Sequence, residues 1–518
     1  MSIEEEIDRA FKATGLLSEV VAGYKRRIEQ TEMAQAIGAA IKRKEPIICE
    51  AGTGTGKTFA YLIPAFYYGR KIIIATGTKT LQDQLFDQDI QVVRRALKIP
   101  ITVAKLKGRA NYLCHHQVER TKSERSFTSL REVELFNMYE RMLDTSESGD
   151  ISEVNMPEEN SKVLSSVVST RDNCLGSDCP HINKCFVLKA RKKALAAEVI
   201  VVNHHLFFAD LALKQDGFGE LLPECDVVIF DEAHQVGDVA SQFFGSSIST
   251  NQLNELLRDL RYGSVMLEDG SETVNELVDS FEKGVRDFRL SFEGLKGRYD
   301  LRERSRFSKA IEHSSLLGLI SKNLAESIGS ITLINLELQR CRERLLDVVI
   351  FLEIWSDQDD RSVIRWFDSS IQSVRMHLTP IDVAEEFSSI VMDGERSWVF
   401  TSATLSVSGD ASYFTQQLGL ESAKFQSWDS PFDYSQNSVL YVPKNMPEPA
   451  HASYVERVVE ESIEAICAAR GRCMMLFTSL AAMRAAGDRL SKILKDRNEG
   501  IPLLIQGDGS KFDLFNHS

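Results

Sequence analysis

Glu50-Ala51-Gly52-Thr53-Gly54-Thr55-Gly56-Lys57-Thr58 joins three glycines, a lysine and a hydroxyl in an order that can grip a triphosphate. With Gly52, Gly54, Thr55 and Gly56 forming the turn, successive backbone N–H groups can curl around a β-phosphate. A helix starting at Lys57 adds the partial positive charge of its N-terminus. Lys57 would reach the β/γ oxygens of ATP, and the Thr58 hydroxyl would hold Mg²⁺. Ala51 stands where the strict pattern has glycine, so the match is to the looser Ala-x-x-Gly-x-Gly-Lys-Thr form. The plain alternative is a flexible Gly/Thr turn between a strand and a helix.

Asp226-Val227-Val228-Ile229-Phe230-Asp231-Glu232-Ala233-His234 is an apolar strand ending in two carboxylates. Asp231 at the strand tip would complete the Mg²⁺ shell, as the acidic partner of a phosphate loop does. Glu232 would orient and polarise the attacking water, and His234 would sense the γ-phosphate. Read alone, the segment is also a strand leading into a polar helix start, with Asp231 as N-cap. Paired with the glycine-rich loop, it implies a nucleoside triphosphatase.

Four of the nine cysteines, Cys114, Cys174, Cys179 and Cys185, share one polar stretch, with 59, 4 and 5 residues intervening. Thiolates are what iron–sulfur clusters need, and a [4Fe–4S] cube takes four. The Cys-x₂-Cys pairs usual for structural zinc are absent. Spacing alone leaves cluster, zinc and unrelated buried thiols open. Cys49, Cys225, Cys341, Cys467 and Cys473 lie in or beside apolar runs and read as small core residues.

Short β-branched runs must position these groups. Residues 47–50, 71–75, 101–105, 198–203, 226–230 and 397–401 read as buried strands, with helical stretches such as 81–97 between them. That alternation predicts an α/β fold, a parallel sheet covered on both faces, with ligands beyond the carboxyl ends of its strands. Two insertions interrupt it. One, 108–193, is polar and contains an acidic, loop-like middle at 145–160. The other, 235–385, reads as helical throughout, with three- and four-residue apolar spacing in 253–260 and 333–352. Segments 438–442, 453–469, 473–477, 480–494 and 502–506 then read as strand, helix, strand, helix and strand, the opening of a second α/β domain.

The 518 residues predict more than one domain. No apolar run is long enough to span a bilayer, and the acidic start, Met1 to Asp8, lacks the features of a signal peptide. A cytoplasmic protein without disulfides or a membrane partner is expected. A net charge of −14 argues against coating nucleic acid non-specifically, though not against a narrow basic channel. Basic clusters at 105–109, 189–193 and 296–309 would suit one, and equally read as solvated surface.

The two phosphate motifs resemble those of superfamily 2 helicases, and further segments resemble the XPD-like, DinG/YoaA-type DNA helicases, leaning towards the YoaA branch. Arg27-Ile28-Glu29-Gln30 is similar to the adenine-reading Q motif, which implies ATP contacts for Arg27 and Gln30. Ala75-Thr76-Gly77-Thr78-Lys79-Thr80-Leu81-Gln82 resembles motif Ia, which touches the DNA backbone, Thr76 included. Lys107-Gly108-Arg109-Ala110-Asn111-Tyr112-Leu113-Cys114 looks like the entry to the family's cluster domain. Val201-Val202-Asn203-His204-His205-Leu206 and Pro380-Ile381-Asp382-Val383 also fit. Thr401-Ser402-Ala403-Thr404-Leu405 resembles motif III, with Ser402 and Thr404 coupling phosphate state to DNA. Ser430-Pro431-Phe432 resembles the passage to a second motor domain.

The resemblance implies a RecA-like first motor domain in three parts, 1–107, 196–240 and 386–430. It implies an iron–sulfur domain at 108–195, a helical arch at 241–385, and part of a second RecA-like domain at 431–518. It assigns Cys114, Cys174, Cys179 and Cys185 to a [4Fe–4S] cluster that cross-links its domain. Single-stranded or tailed duplex DNA is the implied partner, threaded 5′→3′ through the arch, with replication or repair proteins nearby. Lys105, Lys107, Arg109 and 189–193 are expected to line the entrance. Leu476-Phe477-Thr478-Ser479 resembles motif IV, and the later motifs, including the arginine finger, have no counterpart before Ser518. The chain is therefore expected to bind ATP and a cluster, yet to hydrolyse slowly and not unwind alone. An ATP-switched DNA-structure binder without translocation is the second reading, and an RNA-directed enzyme the third.

Overall fold

The computed structural model describes residues 2–124, 127–153, 162–170, 173–215, 221–243, 245–265, 271–301, 304–331, 335–357, 363–370, 373–380, 383–497 and 499–506. Residues 154–160 of the acidic 145–160 stretch, Ile381 and Asp382 of the Pro380–Val383 segment, and Gly507 and Asp508 lie outside the described residues. Among the described residues eleven strands are formed: β1 Ile47–Ala51, β2 Ile72–Thr76, β3 Val103–Lys105, β4 Val199–Asn203, β5 Val227–Asp231, β6 Ser246–Ser249, β7 Gly297–Asp300, β8 Val363–Ser369, β9 Val374–Pro380, β10 Ser397–Ser402 and β11 Lys424–Trp428. They belong to one of two compact units, Met1–Arg120 with Ser169–Pro431.

Seven strands make a parallel sheet in the order β11-β1-β10-β5-β2-β4-β3. Their apolar runs suit a sheet buried on both faces, where both sides of each strand meet core. Ile47, Cys49, Val227 and Ile229 enter one layer with the helices Ile28–Arg43 and Lys57–Tyr68. Ile48, Val228, Phe230 and Phe400 enter the other, where Phe207, Phe208, Phe387 and Trp398 crowd around Phe230. All six expected strands are present, and the edge strand β11 joins them. The helix expected over 81–97 runs as Lys79–Gln84 and Ile90–Leu97 joined by one wide π-type turn, Leu85–Asp89.

The stretch expected to be helical throughout, 235–385, is not. Its helices Thr250–Val265, Ser271–Leu290, Ser308–Gly329 and Leu336–Ser356 pack over an antiparallel sheet, β6-β9-β8-β7. Val374, Met376 and Leu378 alternate with Arg375, His377 and Thr379, a period of two that buries one face under the helices and turns the other away. Among the described residues no helix is long and apolar enough to cross a membrane.

The second unit contains Phe432–Ser518 and Thr121–Val168. There the helices Tyr454–Ala468 and Leu480–Asp496 pack through Val459, Ile463, Ile466, Leu490 and Leu494. The strands expected at 438–442, 473–477 and 502–506 are not formed among the described residues. Val439 and Leu440 stay 93% and 90% exposed. A strand is stabilised by ladder hydrogen bonds and cross-strand packing, and these segments have neither. Cys473, expected in a core, is exposed for the same reason, whereas Cys49 and Cys341 are buried.

Candidate nucleotide-binding site

The carboxyl ends of β1, β10 and β5 lie side by side, with Glu50 opposite Ser402 and Thr401 opposite Asp231. That placement brings the glycine-rich loop after β1, Ser402 at the end of β10, and Asp231, Glu232 and His234 at the end of β5 to one edge. In the loop, Gly54 and Gly56 have φ of 85° and 83°, the left-handed region that glycine tolerates best. Thr55 is fully buried, and its hydroxyl donates to the Gly52 carbonyl at 2.7 Å. Gly52 admits no side chain, because a Cβ there would lie 2.6 Å from the backbone N of Ser430. The Ser430 hydroxyl donates to the Thr53 carbonyl at 2.7 Å, so the segment expected to lead onward also clamps the loop.

Lys57 and Thr58 open the helix Lys57–Tyr68. The Lys57 ammonium donates to the Ala51 carbonyl at 3.1 Å, across the mouth of the loop. Gln30 Nε2 donates to the Gly56 carbonyl at 2.9 Å, while the Tyr24 hydroxyl donates to Gln30 Oε1 at 3.4 Å. Arg27 is the N-cap residue of Gln30's helix and makes no side-chain cap bond. Arg27 and Gln30 therefore sit beside the loop.

Burial first, and then Glu232, push the Asp231 carboxyl up to about 7; the Tyr61 hydroxyl, donating at 3.3 Å, and Lys57 oppose the rise. The charge on Asp231 is thus undercompensated, which is the condition a divalent cation corrects, and the donor set of Thr58 and Asp231 fits Mg²⁺. Glu232 has a φ of 56°, an uncommon backbone state for a residue with a Cβ. His234 Nδ1 lies 2.9 Å from the Ser402 hydroxyl and 3.3 Å from Glu232 Oε2. The Ser402 hydroxyl also donates to Glu232 Oε2 at 3.5 Å, and the Thr404 amide donates to Ser402 Oγ at 3.4 Å. Asp231, Glu232, His234, Ser402 and Thr404 form one continuous set.

Three contacts in this set were not anticipated. Glu50 accepts the Leu405 and Ser406 amides, both at 2.5 Å, and the Ser406 hydroxyl at 2.7 Å. Its presence at the end of an otherwise apolar strand was the available signal. His204 Nε2 donates to the Asp231 carbonyl at 2.9 Å and the Ala75 carbonyl at 3.1 Å, and burial pushes the ring down to about 4, so it stays neutral. Tyr61 lies one turn after Thr58 and carried no such signal.

Residues 31–154 match the DEAD/DEAH box helicase family. Over 516 residues the chain is 37% identical to the ATP-dependent DNA helicase YoaA of Haemophilus influenzae, covering 99% of this chain and 79% of that protein. It is 38% identical over 515 residues to the protein of the same name in Escherichia coli, covering 97% and 78%. The ATP-dependent helicase DinG of Mycobacterium tuberculosis is 28% identical over 522 residues, covering 94% and 76%. This chain belongs to the DinG/YoaA-type helicases.

In this DinG/YoaA-type chain, Thr76 is buried at the end of β2 and its hydroxyl donates to the Thr78 carbonyl at 3.1 Å. Lys107 is corrected: it is only 3% exposed, and its ammonium pairs with Asp83 at 3.0 Å, so it does not line an open entrance. Lys105 shares Asp83 at 2.5 Å. The cause is the Asp83 carboxylate on the helix Lys79–Gln84, which both lysines share. Arg109 is partly exposed, and Lys189, Lys192 and Lys193 are exposed.

Cys114 precedes the helix His115–Glu124, and Cys185 is the N-cap residue of Phe186–Ala196. Short 3₁₀ turns, Gly176–Asp178 and Ile182–Lys184, separate Cys174, Cys179 and Cys185. All four thiols are unpaired and partly buried. Burial raises the Cys114 and Cys179 thiols; Cys174 adds to both, and Cys185 adds to the second. Among the described residues no group of three or more His, Cys, Asp or Glu is drawn together tightly enough to hold a metal ion. The donor chemistry fits a thiolate-bound metal: Cys174 and Cys185 disfavour negative charge on the thiols beside them, and a bound cation would relieve that repulsion.

Helix His115–Glu124 is bolted to the helices after β6. Asp259, 2% exposed, accepts from Arg120 Nη1 at 2.8 Å and Arg344 Nη1 at 2.7 Å, and the Arg120 guanidinium stacks 4.3 Å from the Tyr262 ring.

Proposed function

We propose that this protein is an ATP-dependent DNA helicase of the iron–sulfur type, moving 5′→3′ on single-stranded DNA and serving DNA repair or replication. The carrying observation is the adjacency of β1, β10 and β5, which sets the phosphate loop, Ser402 and the Asp231–His234 segment on one edge. Lys57 and the loop amides bind the β/γ-phosphates, with Gln30 and Arg27 bracing the loop from the adenine side. Thr58 and Asp231 hold the Mg²⁺ that accompanies ATP. Glu232 orients the attacking water. His234 and Ser402 relay the presence of the γ-phosphate to Thr404 and the strand ends beyond. Membership of the DinG/YoaA-type family, whose relatives are named DNA helicases, supports the substrate and the activity.

Cys114, Cys174, Cys179 and Cys185 would hold the cluster, which cross-links a segment poor in core and carries no redox step in unwinding. The Arg120–Asp259–Arg344 triad then ties that segment to the arch. Strand contacts rest on phosphates and stacking, so sequence preference is slight and salt sensitivity strong. The test is ATP-dependent displacement of 5′-tailed and 3′-tailed duplexes. Displacement confined to the 5′-tailed substrate supports the proposal, and 3′-tailed preference contradicts it. ATP turnover whose stimulation by single-stranded DNA does not grow with strand length would favour a non-translocating, ATP-switched DNA-structure binder.

A further inference from the structure

The sheet β6-β9-β8-β7 buries Phe367, Val374, Met376 and Leu378 on one face. Its other face is not apolar and is not packed into that core. Trp366 stands on it in register with His377, and their rings stack at 3.7 Å with 2° between planes. On the other side of Trp366 the Arg298 guanidinium lies 4.3 Å from the ring centre. His377 is 10% exposed by side chain and Arg298 is 72% exposed, so the stack runs from the interior out to solvent. Arg375, also exposed, lies one register step away, opposite Asp368.

This face borders a cleft of about 560 Å³ whose other lining residues include His205 and Phe243, from the helices His204–Gln215 and Val236–Phe243 of the motor region. Their rings stand 5.8 Å apart. Among the described residues Asp368 is the one carboxylate lining the cleft, and it is shared between Arg298 Nε at 3.4 Å and His377 Nε2 at 3.1 Å. Burial lowers the His377 pKa, so the imidazole adds stacking surface rather than charge. A cleft with an indole, two imidazoles and two guanidiniums has what an unpaired strand requires: flat surfaces for bases and cations for phosphates.

We propose that this cleft is a single-stranded DNA subsite, in which a base stacks on Trp366 by displacing the exposed Arg298 guanidinium while Arg298 and Arg375 take flanking phosphates. The inference rests on the DNA-directed function above and adds a strand contact outside the nucleotide site. A base would exchange one stacking partner of Trp366 for another, leaving the buried His377 layer intact. The occupant is a strand and not a duplex, because a base inside a duplex has both faces covered by its neighbours.

The test is fluorescence anisotropy with labelled oligothymidylate over a range of KCl concentrations. Trp366→Ala should weaken binding about tenfold, a loss within the range of one base–aromatic stack, while Trp366→Phe should stay within about twofold of the wild type. The double variant Arg298→Glu, Arg375→Glu should weaken binding at least as much and reduce the salt slope by about one to two. All variants should bind a fluorescent ATP analogue as the wild type does, which checks that the motor region is folded. Wild-type DNA binding by Trp366→Ala and by the double variant would overturn the subsite, as would equal losses in Trp366→Ala and Trp366→Phe. If the wild type itself binds no oligothymidylate, the DNA-directed function fails, and the subsite with it.

Discussion

Burial and the neighbouring Glu232 hold the Asp231 carboxyl at about 7, above its ordinary 3.8. Between those values the folded protein carries a proton that the unfolded chain has lost, so apo stability falls as pH rises through that window. Asp231→Asn removes the unfavourable charge. It should raise apo stability at pH 8 by on the order of 1 kcal/mol, a few degrees in Tm, and abolish the stabilisation given by MgATP. Differential scanning fluorimetry at pH 6 and pH 8 reads both effects; a variant less stable than the wild type at pH 8 contradicts the account. Lys57→Ala should weaken ATP binding at least about tenfold by titration calorimetry, because the Lys57 ammonium sits across the loop mouth on the Ala51 carbonyl. Lys57, Thr58, Asp231 and Glu232 were legible in the sequence because phosphate chemistry fixes both their types and their spacing. Tyr61, Glu50 and His204 bond to partners brought near only by the sheet order, and Lys107 was misplaced because nothing local announces Asp83.

At the scale of elements, the parallel strands were legible as β-branched runs between helices, and their order then placed the site. The antiparallel sheet was missed although Val374 to Thr379 alternates with period two, because the helical spacing in 253–260 and 333–352 set a helical expectation for the whole insertion. The strands expected after Pro431 met the opposite obstacle: 438–442 and 473–477 have the composition, and strands also need partners. The joint between the helix His115–Glu124 and the helices Thr250–Val265 and Leu336–Ser356 rests on Asp259 and its two arginines. Asp259→Ala should cost about 3–5 kcal/mol, because two guanidiniums are left facing each other away from water. Urea denaturation reads the loss; an unchanged midpoint would mean that the joint bears no load.

For the whole molecule, the family resemblance was carried by motifs spread from Arg27 to Ser479, and the relatives match over nearly the full chain. The four cysteines were legible as a set only through that resemblance, since their spacing suits several outcomes. Anaerobically purified protein should contain iron and show a broad shoulder near about 400 nm; Cys174→Ser should lose both and leave ATP binding intact. A colourless, zinc-bearing protein would remove the iron–sulfur assignment without touching the nucleotide site. The coupling through His234 and Ser402 predicts that ATP changes DNA affinity, and Ser402→Ala should reduce that change while preserving ATP binding in equilibrium titrations. The central claim is that Lys57, Asp231 and Glu232 form one ATP-hydrolysing centre that responds to DNA. Single-turnover release of γ-phosphate, with and without single-stranded DNA, measures it most directly. The wild type should release phosphate, however slowly, and faster with DNA, while Glu232→Gln should bind ATP and release none; DNA-insensitive release, or release by Glu232→Gln at the wild-type rate, would contradict the account.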